Sequence, residues 1–547
     1  LGRVSGGGGR YFSLVPVSAS QRTIESLPPH LRRYVAEQDY AAYTPRDQAV
    51  WRHILRRLVE HLATRAHPAY LRGLAATGIG TERIPQMDEM NERLSRLGWS
   101  AVSVRGFIPP AVFTELQAMR VLAIAGDIRS HEHIEYTPAP DIVHESAGHA
   151  PILADPAYAA FLQRAGELGF RAIASAEDDA VYQAIRALSI VKEDPAASPE
   201  EVSSAERRLA DASGSRRYVS EATRASRLYW FTAEYGLVGS LDDPKIYGAG
   251  LLSSIGESTH CFSDAVERVP LDVRAADVEY DITRMQPLLF VARSLEQLSE
   301  VVEDLARQLA WKRGGDHGLA EALRARTVNH LLLADGTAIG GIVERVERGA
   351  RPAAPGLEAA LAVLRGRTLR SRAGKALAPP SELPAVVAFG AARVPREGSF
   401  ALSFASGLSL SGRAVDGLAA ELRGSVGSRE LALPSRAALL ATPALPSVAS
   451  GPGDPGAWDE RFGAPVPDSE AEARARAHKA SALPAPLADL YREVRAMREA
   501  GRADRALLDA VAAEVRRFPD DWLLLKELEE LGGGKSKADE VQAMGDA

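Results

Sequence analysis

The sequence predicts a mainly α domain with few short strands, followed by an extension of α+β character in which a β-rich module precedes helices. Three observations carry this reading. Residues 47–63, DQAVWRHILRRLVEHLA, set Val50, Ile54, Leu55, Leu58, Val59 and Leu62 on one stripe of helical period. Residues 331–346 and 385–415 alternate apolar and polar positions between glycines, as β-hairpins do. Residues 441–467 are rich in Pro, Gly, Ser and Ala and read as a linker, after which helical patterning returns.

A chain of 547 residues implies two or more domains. Its 46% hydrophobic and 25% charged content is that of a globular protein, and a net charge of −7 gives no electrostatic reason to expect nucleic acid. The single cysteine, Cys261, excludes an internal disulfide framework and suits a reducing compartment. No apolar run has the length of a membrane span and LGRVSGGGGRYF lacks a signal core, so a cytoplasmic protein is expected. The expected divisions are a flexible arm over 1–25, a catalytic domain over 26–310 and a β-rich module over 311–440. A linker over 441–468, a helical segment over 469–531 and a disordered tail over 532–547 would complete the chain.

In chain order, His53 and His61 lie near the helical stripe and read as surface or boundary residues rather than ligands. Pro85 marks a loop before a helix, and WSAVSVRGFIPP (99–110) reads as a short strand ending in a Gly/Pro turn. His131 and His133 read as solvated loop residues. Residues 176–221 read as helices joined by a Pro/Ser hinge, a surface insertion.

The chemistry concentrates in residues 137–151, TPAPDIVHESAGHAP. His144 and His149 are five apart, which on an unbroken α-helix separates them by roughly 140°. They converge on one ion only if the helix stops between them, and Gly148 with Pro151 supplies a stop. Two unrelated histidines is the other reading of the spacing. A third donor is available in RLYWFTAEYGLV (227–238), where Glu234 is a lone acid among aromatic and apolar residues, costly to bury ionised unless it meets a cation. Two imidazoles and one carboxylate, with positions left open, suit non-haem Fe(II) and oxygen chemistry.

PDIVHESAGHAP, YWFTAEYGL and YGAGLLSSIGE (247–257) together resemble the three signature blocks of the pterin-dependent aromatic amino acid hydroxylases. DQAVWRHILRRL, GIGTERIP and GWSAVSVRGFIP extend the likeness upstream, so that it covers roughly residues 27–299. The chain looks like the shorter bacterial members at its N-terminal end and departs from them in its long C-terminal half.

The resemblance implies Fe(II) held by His144, His149 and Glu234, and a tetrahydrobiopterin or related reduced pterin. A free aromatic amino acid and O2 would be the substrates, with phenylalanine converted to tyrosine. Arg129 would take the substrate carboxylate, its planar fork matching that group, with Asp141 orienting it. Thr137, Pro138 and Trp230 would line the substrate pocket, and Ile282, apolar where tyrosine-preferring relatives carry an acid, leans toward phenylalanine. Gly106, Phe107 and Ile108 would form the pterin turn, Phe113 would stack on the pterin and Glu145 would lie near it. Ser253 would support the pterin or a ligand histidine. A tryptophan or tyrosine hydroxylase of the same family is the alternative. A zinc peptidase fails because its histidines must be four apart, and a non-catalytic metal-binding assembly protein is the reading outside enzymes. The C-terminal half carries no catalytic motif and is expected to serve assembly, regulation or partner binding, including a homo-oligomer.

Overall fold

The computed structural model describes residues 18–104, 108–131, 134, 141–193, 197–282, 284–333, 335–372, 375–377, 380–443, 446–450, 483–501, 505–515, 517–518 and 521–532. The first surprise lies in the expected arm. Ala19–Ser26 is a helix, capped by the Ser18 hydroxyl accepting from Gln21 N–H. It is tied down by Ser20 N–H donating to Asp88 Oδ1 at 2.9 Å.

The helix Pro45–Leu62 is the spine of the catalytic region. Thr44 and Asp47 close a reciprocal capping box at its start, and Val50, Trp51, Leu55, Leu58 and Leu62 are all at most 1% exposed. Its cluster also takes in Ala69–Thr77, Met87–Leu94, Pro156–Arg171 and Leu295–Ala306, while Pro110–Ala118 lies against Pro156–Arg171 and buries Val112 and Leu116 in a smaller core. Strand content here is small, as expected. Ser100–Val104 pairs in parallel with Val121–Ala125, and a four-stranded sheet runs Pro244–Ile246, Leu237–Gly239, Leu288–Ala292, Glu267–Pro270. The 176–221 stretch is a helical pair, Ala176–Glu193 and Pro199–Gly214; the second buries only Ala205 and starts on a Ser198/Glu201 capping box. Among the described residues no helix is long and apolar enough to cross a membrane.

Residues 328–450 form one sheet. Its order is Gly398–Ser403, Leu408–Val415, Leu418–Val426, Arg436–Thr442, Ala385–Phe389, Ala359–Arg372, Thr337–Arg348, Val328–Leu332, Ser447–Ser450. The 331–346 hairpin turns at Gly336, whose φ is +79°. The 385–415 stretch is not one hairpin. All five residues of Ala385–Phe389 are buried, which requires covered faces and a central position between Ala359–Arg372 and Arg436–Thr442. Only its second half, Gly398–Ser403 with Leu408–Val415, is a hairpin. The expected linker begins too early: Ser447–Ser450 is an edge strand on Val328–Leu332, while 451–468 lies outside the described residues, as does the tail from 533.

The C-terminal helices Ala485–Glu499, Arg505–Val515 and Trp522–Gly532 do not stand apart. Leu490, Tyr491, Val494, Leu523 and Leu524 belong to the same hydrophobic cluster as Trp51, Leu55 and Phe161. Each such buried side chain contributes about 1.5–3 kcal/mol. Arg52, 0% exposed, anchors the junction. Its Nε and Nη2 donate to Glu527 Oε1 at 2.8 and 2.6 Å, and Nη2 also bonds Glu530. With Arg56 and Arg498 on one side and Glu82 on the other, three guanidiniums meet three carboxylates. A lone buried cation would cost several kcal/mol, so the balance is required for burial.

Candidate active site

The segment Val143–His149 is a π-helical turn, not an α-helix that stops. A π-turn closes its hydrogen bond across five residues, so His144 and His149 come one turn apart on one face. This corrects the expected helix end between them. Gly148 serves a different purpose: a Cβ there would sit 2.8 Å from the Ala249 carbonyl oxygen, so only glycine lets the 247–257 block lie this close. Gly248 does the same for the other contact, since its Cβ would fall 2.5 Å from the Glu234 carbonyl oxygen. The three motif blocks thus close on one another through glycines.

Glu234 ends a second π-turn, Trp230–Glu234. Its Oε2 is 3.3 Å from His144 Nε2 and its Oε1 is 3.2 Å from His149 Nε2. The two imidazoles stand edge to face with centroids 5.1 Å apart. Ser253 Oγ donates to the Ala249 carbonyl at 2.8 Å and so accepts from His144 Nδ1–H at 3.0 Å. That hydrogen bond fixes a proton on Nδ1 and leaves Nε2 as the ring nitrogen turned toward Glu234, the one available to a metal. Both ring nitrogens of His149 are buried without a hydrogen-bond partner, an orphaned donor set of the kind a metal satisfies.

Electrostatics separate the two nearby glutamates. Glu145 also lies with His144 and His149 in a group whose ligand atoms are all within 4.8 Å of one another. Burial, with the Glu234 and Asp141 charges, holds Glu145 above the ordinary carboxylate range despite the histidines. Burial also opposes the charge on Glu234, but the two imidazoles outweigh it and hold that carboxyl far below its usual range. Burial would lower His144, yet the Glu234 carboxylate raises it to about 9. Glu234 is the better candidate for a third donor, because its two carboxylate oxygens each face one imidazole Nε2, at 3.3 and 3.2 Å. Two imidazoles and this carboxylate fit a divalent cation, and the 16% and 13% side-chain exposure of His144 and Glu234, against 1% for His149, marks the open side.

Arg129 and Asp141 form a buried pair rather than a surface bridge. Arg129 Nε and Nη2 donate to Asp141 Oδ2 and Oδ1 at 2.8 and 2.9 Å, and Arg129 N–H donates to Oδ2 at 2.9 Å. Asp141 also accepts from His144 N–H at 3.1 Å, linking the guanidinium to the metal-ligand turn. Trp230 stacks on Tyr280 (4.3 Å, 8°), packs on Tyr235 (4.5 Å) and donates from Nε1 to Gln286 Oε1 at 3.2 Å. Ile282 is 54% exposed. Ile108 and Phe113 are half-buried beside one small core, and Phe113 lies edge-on to Tyr229 at 6.0 Å. Gly106, Phe107, Thr137 and Pro138 lie outside the described residues.

Sequence reasoning missed Tyr280 and Gln286, which hold Trp230 from 50 and 56 residues away. It also misjudged two histidines. His53 is 7% exposed and His131 is half-buried, and both lie against Trp522 of the C-terminal helices. No periodicity or motif pairs these positions, so no signal in the chain would have found them.

The family model described as biopterin-dependent aromatic amino acid hydroxylase matches residues 32–188 and 210–313, leaving out residues 189–209 of the helical insertion and everything after 313. A phenylalanine-4-hydroxylase of Vibrio cholerae is 30% identical over 54% of this chain and 88% of its own length. That of Pseudomonas aeruginosa is 30% identical over 50% and 89%. A phenylalanine hydroxylase structure from Chromobacterium violaceum, with bound oxidised Fe(III), aligns with a TM-score of 0.41 at 28% identity, over 53% of this chain and 92% of that one. With its signature blocks meeting at one centre and relatives matched over nearly nine-tenths of their length, the chain belongs to the biopterin-dependent aromatic amino acid hydroxylases.

Proposed function

We propose that the chain hydroxylates the ring of free phenylalanine to give tyrosine, with iron(II) bound by His144, His149 and Glu234 and a tetrahydropterin as the reductant. The observation that carries this is the carboxylate of Glu234 lying 3.2 and 3.3 Å from two imidazole nitrogens whose other neighbours leave them free to ligate. Iron and reduced pterin together would supply the activation of O2 that no side chain can perform.

The residues around them bind and orient. Ser253 holds the His144 ring in the ligating tautomer, and burial of His149 keeps water from competing for its nitrogens. Arg129, locked by Asp141, offers its remaining N–H groups to an amino-acid carboxylate. Trp230, packed with Tyr235 and Tyr280, belongs to an aromatic cluster that would give the substrate ring one wall. Glu145, buried beside the two histidines, would lie next to the pterin. Phenylalanine is favoured over tyrosine because relatives matched over most of their length carry that name; Ile282, expected to bear on this choice, is 54% exposed and stands too open to solvent to set it.

The test is turnover of phenylalanine, tyrosine and tryptophan, each with Fe(II) and a tetrahydropterin, with His149→Ala as the control. Tyrosine formed from phenylalanine, and lost with bound iron in His149→Ala, is the expected result. Iron-loaded protein that yields no product from any of the three would defeat the reading.

A further inference from the structure

The C-terminal helices reach the segment that carries Arg129. Trp522, the first residue of Trp522–Gly532, stands edge-on to His53 of the spine helix, with centroids 5.0 Å apart at 70°. The same indole lies tilted against His131 at 5.3 Å and 34°. His131 follows Arg129 by two residues, and Arg129 Nη1 donates to the Ile134 carbonyl at 3.4 Å. One ring therefore bridges the rigid spine and the backbone that carries Arg129.

The helix behind Trp522 is anchored. Asp521 Oδ1 accepts from Leu524 N–H at 3.2 Å and from the Tyr491 hydroxyl at 2.6 Å, and Glu527 is clamped by Arg52 and Arg498. Trp522 is 43% exposed, so it covers His131 from outside rather than filling a core. An arginine whose surroundings must be ordered on binding weakens substrate affinity by the entropy of that ordering; one held in advance does not.

We propose that Trp522 is a positioning residue for the amino-acid substrate: by holding His131 it fixes the backbone two residues from Arg129 and so keeps that guanidinium where it receives a carboxylate. The proposal rests on the reading of Arg129 as the carboxylate-binding group. It assigns to the far end of this chain, beyond the residues matched to the family, a part in substrate affinity rather than in assembly.

The experiment uses the full chain loaded with Fe(II), with initial rates at saturating tetrahydropterin and varied phenylalanine. Trp522→Ala is expected to raise the phenylalanine KM about three- to ten-fold, the worth of one aromatic contact, while kcat and the pterin KM stay within about two-fold. Trp522→Phe should restore most of the loss. Leu525→Ala, a 41% exposed position on the same helix, should leave the KM unchanged. An unchanged phenylalanine KM in Trp522→Ala, or a KM, kcat and pterin KM that move together, overturns the proposal. Where Trp522→Ala does not fold, His131→Ala reads the contact from its other side, and an unchanged KM there overturns it equally. Arg129→Lys separates the two levels. A chain that needs Arg129 but ignores Trp522 and His131 removes the positioning role alone, whereas one indifferent to Arg129→Lys, or unable to turn over any aromatic amino acid, removes both.

Discussion

Two stretches of this chain lie beyond the part it shares with its family, and they are attached in opposite ways. The sheet of residues 328–450 carries cores of its own, built on Leu364, Val387 and Phe389 on one face and Val386, Leu408 and Ala437 on another. It meets the catalytic region through a few polar links, such as Thr327 Oγ1 donating to Ala174 O at 2.7 Å and Arg326 paired with Glu177, with Ile173 as an apolar plug. The helices of 485–532, much farther along the chain, share the catalytic core itself and enclose Arg52, 475 residues before Glu527. Distance along the chain is thus no guide to independence. What matters is whether a segment can bury its own apolar face, as the sheet does and three amphipathic helices alone do not.

The sharpest way to break this contrast is Arg52→Met. It leaves three buried or half-buried carboxylates, Glu82, Glu527 and Glu530, facing only Arg56 and Arg498, and is expected to cost the catalytic transition about 3–5 kcal/mol in denaturant unfolding. A loss below about 1 kcal/mol would show that the helices merely rest on the surface. A matched pair of truncations comes next. Leu524→Ala and Leu364→Ala, both at 0% exposure, should each cost about 2–5 kcal/mol, but in different places. The first should lower the catalytic transition, the second only that of the sheet, with phenylalanine turnover at 25 °C unaltered. Turnover that falls with Leu364→Ala would join the two regions into one unit.

Acid should act on the helices' junction. Burial pushes the Glu82 carboxyl up, but Arg52 and Arg56 outweigh it and hold it below its usual range. A depressed carboxylate contributes stability that is present above its ordinary range and lost as pH falls through the folded value. The catalytic transition should therefore weaken in acid more steeply in the wild type than in Glu82→Gln, and equal slopes would disconnect Glu82 from the docking. The smallest effect expected is that of Arg326→Ala. Its guanidinium is 51% exposed, so loss of its bond to Glu177 should move the sheet's unfolding by less than about 1 kcal/mol.

Much of the site was legible because chemistry demands particular residue types. A lone acid in an apolar helix points to a cation whatever surrounds it, and Glu234 does sit between two imidazoles. The histidine spacing was legible only as a problem. Its solution, a π-turn, depends on the 247–257 block pressing against Gly148, a contact that periodicity cannot encode. The exposed Ile282, the buried Arg129–Asp141 pair and the half-buried His131 likewise turn on neighbours distant in sequence.

From its residues alone the chain determined its donor atoms, its helical spine and its alternating strands, since these arise from side-chain chemistry and local period. Only the folded molecule decided that histidines five apart come to one face, that Glu234 lies between the two imidazoles, and that the last helix belongs to the first core. Those outcomes rest on close approach and on charge balance inside a low-dielectric interior. Both are set by which side chains pack together in space, not by which are neighbours along the backbone.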